Sequence, residues 1–513
     1  MSSFLIPHSS FLKDMSIKRL AKDTAIYGLS SILGRALYFL LTPFYTYIFE
    51  NNEYGVQSGV FAFTAIMMVV FTYRMETAYF RYESEPGERR QPYFDTAMLS
   101  IIGSTVLLGG MLLLIAPQIA NLLSYEGEVG LFRMAILILA FDALSEIPLS
   151  RLRLEGRPLR FAFVRLSSIA VNIGLNLFFL WFCPKALEQE GWQWLWPLLD
   201  RIYDPDFGIG YIFLSNMAGS FVALLLLSPM IFRIRMQFDW AQWRKMIGYA
   251  APLVIVGFSY VINEVLDRAI FPRLYSGTLE ESHAQLGIYA ANYKLAMLIS
   301  LFIQAYRYGA EPFFFKQKNT ADSGQLYADL AGFFTAIGGI AFLGITLFID
   351  FTKYFIPNPE YWPGLSVVPI LAMANIFLGI YYNFATWYKL ADMTRWGAYI
   401  SIGGAIITIV LNVWWIPRFS YLGSAWATLI CYGSMAAATW WFGRKFYPIP
   451  YKISNILLYL MVAVLIWGAG RITGSFLADQ LMLRTLVNTV LFLTYLFFIF
   501  KMERQAIKKY FHI

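Results

Sequence analysis

The chain has 513 residues, of which 58% are hydrophobic and only 14% are charged. A soluble globular domain does not need so much apolar surface, so the composition excludes an ordinary soluble protein and predicts a polytopic membrane protein. The net charge of +8 does not indicate nucleic-acid binding, because the basic residues are scattered among short connections and chain ends.

We predict an all-α polytopic integral membrane protein with about fourteen transmembrane helices, each near or above the ~20 residues needed to cross a bilayer. The N-terminal segment contains a weak apolar stretch without a small-residue cleavage site, so it does not predict a signal peptide. No stretch remains for a sizeable soluble domain. The predicted spans begin near residues 24, 56, 96, 129, 161, 209, 247, 287, 329, 364, 397, 422, 455 and 484.

Lysine and arginine residues concentrate in alternate connections between these spans. If the N-terminus is cytoplasmic, the connections on that side include basic groups at 151–160 and 233–245, and the chain ends in a basic tail at 501–509. The opposite connections carry far fewer basic residues, with Lys185 and Arg201 in the longest one. By the positive-inside rule, this asymmetry predicts that both termini are cytoplasmic.

Two parts of the chain resemble one another. A basic–Leu pair at 153–154 precedes Asn176 by the same distance as the pair at 389–390 precedes Asn412. The turn after the first span, Glu53-Tyr54-Gly55, similarly corresponds to Gln285-Leu286-Gly287. An even number of helices in each repeat predicts two lobes related by an axis along the membrane normal, with a cleft between them.

The repeat predicts two pseudo-symmetric six-helix lobes followed by two further helices. The predicted organisation is a cytoplasmic N-terminal segment at 1–23, an N-lobe at 24–232, a cytoplasmic linker at 233–246, a C-lobe at 247–443, two C-terminal helices at 444–501 and a basic cytoplasmic tail at 502–513.

The seventh span carries a polar stripe of five residues, Tyr260, Asn263, Glu264, Asp267 and Arg268. Their spacing of three and four places them on one side of a helix. Each Glu, Asp or Arg at the centre of a span costs roughly 2.5 to 3.5 kcal/mol on insertion-based scales. The stripe is therefore predicted to face protein or water rather than lipid.

The first span has its own polar stripe, which contains Tyr27, Arg35 and Tyr38. Arg35 lies roughly 16 Å into the span at the 1.5 Å rise of a helix, close to the bilayer centre. The repeat predicts that the stripes of the first and seventh spans face one another across the cleft.

Cationic side chains in these stripes are candidate cargo-binding groups. Arg35, Arg268 and Lys294 have the chemistry that a pyrophosphate or an anionic sugar requires, because guanidinium groups bind phosphate oxygens in pairs. In the alternative interpretation, Arg268 only pairs with Glu264, and Arg35 only binds backbone carbonyls of neighbouring helices. Arg165 is a weaker cavity candidate because it lies near a span end and can snorkel.

Aromatic residues beside these charges are candidates for the same cavity. Tyr260 and Tyr27 complete the predicted cargo-binding set, and Tyr260, Tyr289 and Tyr293 have rings that can stack on sugars. Helix packing is the alternative role for these tyrosines.

Glu264 and Asp267, with Asn263, are candidates for ion coupling. Carboxylates buried within a membrane can take up a proton or exchange it for Na⁺. Alternatively, they only neutralise Arg268. Cys183 and Cys431 lie far apart in sequence, so we predict no metal site and no organic cofactor, with H⁺ or Na⁺ as the candidate coupling ion.

Several of these residues also carry a family resemblance. The turn Glu53-Tyr54-Gly55, residues Asn263 and Asp267-Arg268, and Gly287-Ile288-Tyr289-Ala290 followed by Lys294 resemble polysaccharide transporters of the multidrug/oligosaccharidyl-lipid/polysaccharide superfamily. The resemblance implies a flippase for undecaprenyl-pyrophosphate-linked oligosaccharides in the bacterial cytoplasmic membrane. Such proteins serve O-antigen, capsule or exopolysaccharide assembly.

The resemblance also implies how the protein works and with what it interacts. It implies alternating access without ATP, and the chain contains no Walker A sequence. The implied partners are the lipid-linked oligosaccharide, membrane lipids and other polysaccharide-assembly proteins, without nucleic acid. A transporter of this kind is not an enzyme.

Three other functions stay open at this point. A lipid II flippase would carry several cavity arginines in the N-lobe, where Arg35 is the clearest deep one. An antiporter of cationic drugs would have acidic cavity walls and usually twelve spans. A membrane glycosyltransferase or polysaccharide polymerase would need clustered charges on large outer loops, where Asp204 and Asp206 are the notable pair.

Overall fold

The computed structural model describes residues 33–84, 90–316, 323–391, 393–477 and 479–511. Within these ranges the regular secondary structure is entirely helical, and no strand is present. The helices are α1 (33–48), α2 (Asn51–Thr72), α3 (Met75–Glu83), α4 (Arg90–Leu114), α5 (Ala116–Leu122), α6 (Val129–Leu154), α7 (Pro158–Leu177), α8 (Cys183–Glu188), α9 (Trp196–Ile202), α10 (Gly210–Ile231), α11 (Trp240–Leu274), α12 (Leu279–Lys316), α13 (Ser323–Thr346), α14 (Ile349–Thr352), α15 (Val368–Phe384), α16 (Thr386–Leu390), α17 (Arg395–Phe446), α18 (Ile453–Phe476) and α19 (Leu481–Phe511).

Eleven helical ranges within the described residues are long and apolar enough to cross a membrane. One of them, α17, consists of two helices joined at Ser420, whose backbone φ of 51° interrupts the helical geometry. In addition, α1 and α6 occupy the positions of the predicted first and fourth spans. The predicted all-α polytopic membrane fold is confirmed.

The chain divides into two compact units. The first unit contains the described residues up to Phe39 together with Met67–Val254. Its core is formed by apolar side chains such as Phe71, Tyr79 and Phe94, and α10 packs against both α6 and α7. Burial of such aromatic side chains from neighbouring helices fixes the positions of these helices in the unit.

The second unit contains Leu40–Ile66 and the described residues from Ile255 onward. In this unit α15 packs against α12, α13 and α17, and the C-terminal helices α18 and α19 pack against α13. The division therefore assigns the end of α1 and most of α2 to the second unit, whereas the predicted N-lobe runs continuously over 24–232. Compactness and sequence repetition are different criteria, so the lobe boundaries stay a prediction.

Gly55 and Gly287, from the two matched turns of the sequence, meet in the second unit. A Cβ atom added at Gly55 would overlap the carbonyl of His283, and one added at Gly287 would overlap the carbonyl of Asn51. Each obstructing carbonyl lies four residues before the other glycine, so the contact between α2 and α12 is reciprocal. Glycine is required at both positions because the obstructing atoms belong to the backbone.

The asparagines that anchor the predicted repeat have the same local structure. Asn176 in α7 and Asn412 in α17 are both fully buried. The Nδ2 of Asn176 donates to the carbonyl of Asn172 at 2.9 Å, and the Nδ2 of Asn412 donates to the carbonyl of Thr408 at 2.8 Å. In both cases the acceptor lies one helical turn earlier, so the Nδ2 donor of each asparagine is hydrogen-bonded inside an apolar environment.

Candidate functional site

The polar stripe of α11 is largely enclosed by the second unit. Asn263 and Asp267 are buried, whereas the side chain of Tyr260 is 44% exposed. Because the five residues follow helical spacing within an apolar sequence, one face of α11 carries Glu264, Asp267 and Arg268 together. The stripe thus has one accessible end, at Tyr260, and an enclosed region around Asp267.

The carboxylate of Asp267 is held by two groups. The hydroxyl of Tyr289 in α12 donates to Asp267 Oδ2 at 2.6 Å, and the backbone N–H of Arg268 donates to Oδ1 at 2.8 Å. The Nε atom of Arg268 lies 3.5 Å from Oδ1. The buried carboxylate is therefore both hydrogen-bonded and paired with a cation, which offsets its removal from water.

Arg268 lies between Asp267 and the aromatic ring of Tyr293. Its Cζ atom is 4.4 Å from the centre of the Tyr293 ring, and Nη2 donates to the backbone carbonyl of Glu264. The alternative in which Arg268 pairs with the Glu264 carboxylate therefore needs correction, since its ion pair is with Asp267. Its Nε is buried and donates no hydrogen bond within the described residues. An unfilled guanidinium donor is available to an anion.

Glu264 and Lys294 lie on either side of this group. The side chain of Tyr260 is close enough to the Glu264 carboxylate and to Tyr382 of α15 to interact with both electrostatically. Lys294 in α12 is close enough to Arg268 and Glu264 to interact with both electrostatically. Two cations thus lie together in the interior of the second unit.

The structure gives Asn263 a helix-joining role. Its Nδ2 donates to the carbonyl of Ser401 at 3.3 Å, and its Oδ1 accepts from the Thr408 hydroxyl at 3.1 Å. The hydroxyl of Tyr432 donates to the Asn263 carbonyl at 3.3 Å. These bonds all lead to α17, so the Asn263 amide is directed there rather than toward Glu264 or Asp267.

The remaining predicted residues belong to the first unit or lie outside the described residues. Tyr27 lies outside them. Arg35 in α1 has an exposed side chain, and one turn later the Tyr38 hydroxyl accepts a hydrogen bond from Asn172 Nδ2 at 3.2 Å. Arg165 in α7 pairs with Glu146 at 3.2 Å, so this arginine already has a carboxylate partner.

Arg307 and Tyr382 are neighbours of the α11 stripe that sequence reasoning missed. The Cζ atom of Arg307 in α12 lies 4.0 Å from the centre of the Tyr382 ring. A signal for Arg307 was present, because it follows Tyr289 by about five helical turns and therefore lies on the same face of α12. Tyr382 had no such signal, since its position depends on how α15 packs against α12.

The part of the chain that the structure describes contains no group of three His, Cys, Asp or Glu residues placed to hold a metal ion. Cys183 and Cys431 are both buried free thiols. The candidate site therefore consists of cations, carboxylates and tyrosines.

Solved structures with this helical arrangement are membrane transporters. The lipid II flippase MurJ, in an inward closed conformation, superposes with a TM-score of 0.69 over 94% of this chain and 99% of that protein, at 13% sequence identity. An inward-facing multidrug resistance MATE family transporter of the MOP superfamily gives a TM-score of 0.59 over 84% of this chain and 97% of its own, at 14% identity. The chain shares the helical fold of these two proteins.

The similarity extends to a eukaryotic MATE transporter, with a TM-score of 0.51, 13% identity and coverage of 82% of this chain and 95% of that one. These neighbours are called flippase and transporters, and none of the three is called an enzyme. The fold expected from the sequence resemblance therefore agrees with the fold of these neighbours. Assignment of the chain to the polysaccharide transporters would be more specific than this agreement in fold.

Sequence relatives come from Haemophilus influenzae. An uncharacterized membrane protein of this bacterium is 24% identical over 309 residues, and a protein of its Lsg locus is 23% identical over 300 residues. Each match covers 58% of this chain and 66% of the relative, so the chain spans just under two thirds of the curated proteins that it matches. No protein-family model matches the chain. The helical fold and the relative that is named a membrane protein agree on a multi-pass membrane protein.

Proposed function

We propose that this protein is a flippase that moves undecaprenyl-pyrophosphate-linked oligosaccharide repeat units across the bacterial cytoplasmic membrane. The cargo would serve O-antigen, capsule or exopolysaccharide assembly. The observation that carries the proposal is the buried Arg268, whose Nε has no hydrogen-bond partner in the described part of the chain and which lies close to Lys294.

A pyrophosphate is the cargo group that best matches this pair of cations. Burial lowers the local dielectric constant, so Arg268 and Lys294 attract an anion more strongly than they would in water. Asp267 neutralises part of that charge, and Tyr289 holds its carboxylate on the other side. The Arg268 Nε can then donate to a phosphate oxygen without displacing an existing hydrogen bond.

The lipid II flippase neighbour supports a lipid-linked cargo for this fold. In the proposal, the protein works by alternating access with both termini in the cytoplasm, and its lobes follow the repeat at 24–232 and 247–443. Membrane lipids contact its outer surface, and other polysaccharide-assembly proteins receive the product. Lipid II itself is a second candidate cargo, because it also joins a polyprenyl pyrophosphate to sugars.

Exchange of cationic drugs for H⁺ or Na⁺ is the other candidate function. The Glu264 carboxylate beside Tyr260 and Tyr382 has the chemistry of an organic-cation site. However, Arg268 and Lys294, which lie close to Glu264, would repel a cationic cargo. The charges of the second unit therefore favour an anionic one.

A translocation assay tests the proposed function. The purified protein is reconstituted in liposomes with a fluorescent undecaprenyl-pyrophosphate oligosaccharide, and its appearance in the opposite leaflet is measured with a membrane-impermeant quencher. We expect protein-dependent translocation of this lipid and weaker translocation of lipid II. Translocation of neither lipid, with transport of a cationic dye instead, would overturn the proposal.

Ion coupling is tested in the same liposomes. If Glu264 or Asp267 couples transport to an ion, translocation should accelerate under an imposed H⁺ or Na⁺ gradient, and Glu264→Gln or Asp267→Asn should remove that response. Glu146→Gln is the matched control, because Glu146 lies in the first unit and already pairs with Arg165. A gradient response that survives in both test variants would leave these carboxylates as partners of Arg268 and Tyr260 only.

A further inference from the structure

The connection between α10 and α11 presents large apolar side chains on the surface of the first unit. Phe232 is 84% exposed, Met236 is 81% exposed and Trp240 is 66% exposed. Both flanking helices are long and apolar enough to cross a membrane, so residues 232–239 lie at a membrane surface. Apolar side chains that are exposed together at this level indicate a surface covered by another molecule.

Arginine residues alternate with these apolar residues. Arg233 and Arg235 lie between Phe232 and Met236, and Arg244 follows Trp240 by one turn of α11. The three arginines are exposed, and no ion pair joins them to a carboxylate in the part of the chain that the structure describes. A guanidinium stays charged at physiological pH and binds phosphate oxygens in pairs. We use the name basic linker patch for Phe232, Arg233, Arg235, Met236, Trp240 and Arg244.

The other side of the connection holds the patch in place. Ile234 and Trp243 pack against the core of the first unit, and Trp243 Nε1 donates to the hydroxyl of Ser100 in α4 at 2.8 Å. The rings of Trp240 and Trp243 meet edge to face with their centres 5.4 Å apart. Because Trp243 is anchored in this way, the neighbouring ring of Trp240 and the start of α11 have fixed positions.

The start of α11 is capped by the protein itself. Asp239 Oδ1 accepts from the backbone N–H groups of Ala241 at 2.8 Å and Gln242 at 3.1 Å. The backbone N–H of Asp239 donates to the Thr96 hydroxyl at 3.2 Å. The first N–H groups of the helix are therefore occupied by a carboxylate. The arginines, and not the helix end, are the groups that can bind an anion here.

Another aromatic connection of the first unit has the opposite charge. Between α8 and α9, Trp192 is 37% exposed and Trp194 is 73% exposed. The charged side chains beside them, Glu188 and Glu190, are exposed and acidic. Aromatic rings are common wherever a protein meets a membrane interface, so the rings alone do not specify a lipid. The positive charge distinguishes the basic linker patch.

We infer that the basic linker patch binds anionic phospholipids, with its arginines on the headgroup phosphates and its apolar side chains among the upper acyl chains. A basic residue near an anionic membrane surface strengthens the attraction by about fivefold. A zwitterionic lipid attracts the arginines less, because its own cationic group offsets the phosphate. An acidic protein partner would match the arginines, but lipid also covers the apolar side chains. The inference does not depend on which cargo the protein moves.

The test measures which lipid contacts the patch, by fluorescence quenching in liposomes that contain the purified full-length protein. Cys183 and Cys431 are buried free thiols, so a fluorophore can be attached selectively at Gln237→Cys, whose native side chain is exposed within the patch. The quenchers are phosphatidylglycerol and phosphatidylcholine that carry a nitroxide near the top of the acyl chain. We expect the anionic lipid to bind beside the label about tenfold or more tightly than the neutral one.

Further variants separate the roles of charge and apolar contact. Replacement of Arg233, Arg235 and Arg244 together by glutamine should remove the preference for phosphatidylglycerol, whereas replacement by lysine should keep most of it because the charge remains. Phe232→Ser with Met236→Ser should weaken quenching by both lipids to the same extent. All five native side chains are exposed, so these changes leave the core intact. Size-exclusion profiles check that each variant is folded.

The matched control places the same fluorophore at Gln193→Cys, between the exposed rings of Trp192 and Trp194. This position has similar aromatic neighbours and acidic ones in place of arginines. Both lipids should quench it, without a preference for phosphatidylglycerol. In addition, raised salt should weaken the lipid preference at Gln237→Cys and leave the control unchanged.

Four outcomes would overturn the inference. They are absence of quenching at Gln237→Cys, equal quenching there by both lipids, a preference that survives in the triple glutamine variant, and an equal preference at Gln193→Cys. The outcome is independent of the proposed function. A lipid preference without translocation of the oligosaccharide would remove only the flippase proposal, and translocation without the preference would remove only the lipid site.

Discussion

Arg268→Ala should reduce translocation of the lipid-linked oligosaccharide by about 10- to 100-fold or more, because a charge-assisted hydrogen bond to phosphate is lost. In cells that depend on the protein, surface polysaccharide should disappear while the protein remains in the membrane. The measurements are the liposome assay and immunoblots of surface polysaccharide and membrane protein. Arg471→Ala is the control, since Arg471 is exposed on α18.

Removal of Arg268 also leaves Asp267 without its cation, which can destabilise the fold by several kcal/mol. The double variant Arg268→Ala with Asp267→Asn separates this effect from the loss of cargo binding, because Tyr289 can still donate to the amide oxygen. We expect the double variant to recover stability without recovering translocation. Translocation at the wild-type rate in this variant would contradict the phosphate role of Arg268.

Gly55→Ala and Gly287→Ala should each lower the thermal unfolding midpoint of the purified protein. The added Cβ would overlap a backbone carbonyl across the crossing of α2 and α12, which no side-chain rotation can relieve. Overpacking of this kind costs about 1 to 3 kcal/mol. In a helix interior, alanine is more favourable than glycine by about 1 kcal/mol, which opposes this loss of stability. A net loss is expected because the backbone of the partner helix lies so close to the added Cβ atom.

Gly110→Ala is the matched control, because a Cβ at Gly110 in α4 has no heavy atom within 4 Å apart from the local helix. It should leave the unfolding midpoint unchanged or raise it. Once one substitution has moved α2 away from α12, the second should cost less, so the double variant should lose less stability than the sum of the single variants. Additive losses would show that Gly55 and Gly287 do not share one contact.

Most of the fold could be predicted from the sequence because a membrane-spanning helix is recognised by its length and its hydropathy. The predicted starts near 129, 209 and 455 agree closely with the starts of α6, α10 and α18. Helical spacing likewise placed the five stripe residues on one face of α11. These properties depend on neighbours within one helix, so they can be read from consecutive residues.

The ion-pair partners of the charged residues could be predicted from the sequence only in part. The helical spacing indicated Glu264, which lies one turn earlier, as a possible ion-pair partner of Arg268. In the structure, the ion pair of Arg268 is with the adjacent Asp267. Similarly, Arg165 was predicted as a cavity candidate that can snorkel, whereas the structure pairs it with Glu146 of α6. Long charged side chains choose among several acceptors at similar distances, and the packing of neighbouring helices decides among them.

The sequence by itself determined the membrane class, the helix positions, the polar stripe of α11 and the paired glycines, since each follows from composition or local periodicity. Only the tertiary structure decided that Gly55 and Gly287 lie at one helix contact, that the Asn263 side chain binds α17 and that Arg307 lies over the Tyr382 ring. Such contacts join residues that are distant in the chain, so they depend on how whole helices pack and not on spacing within one of them.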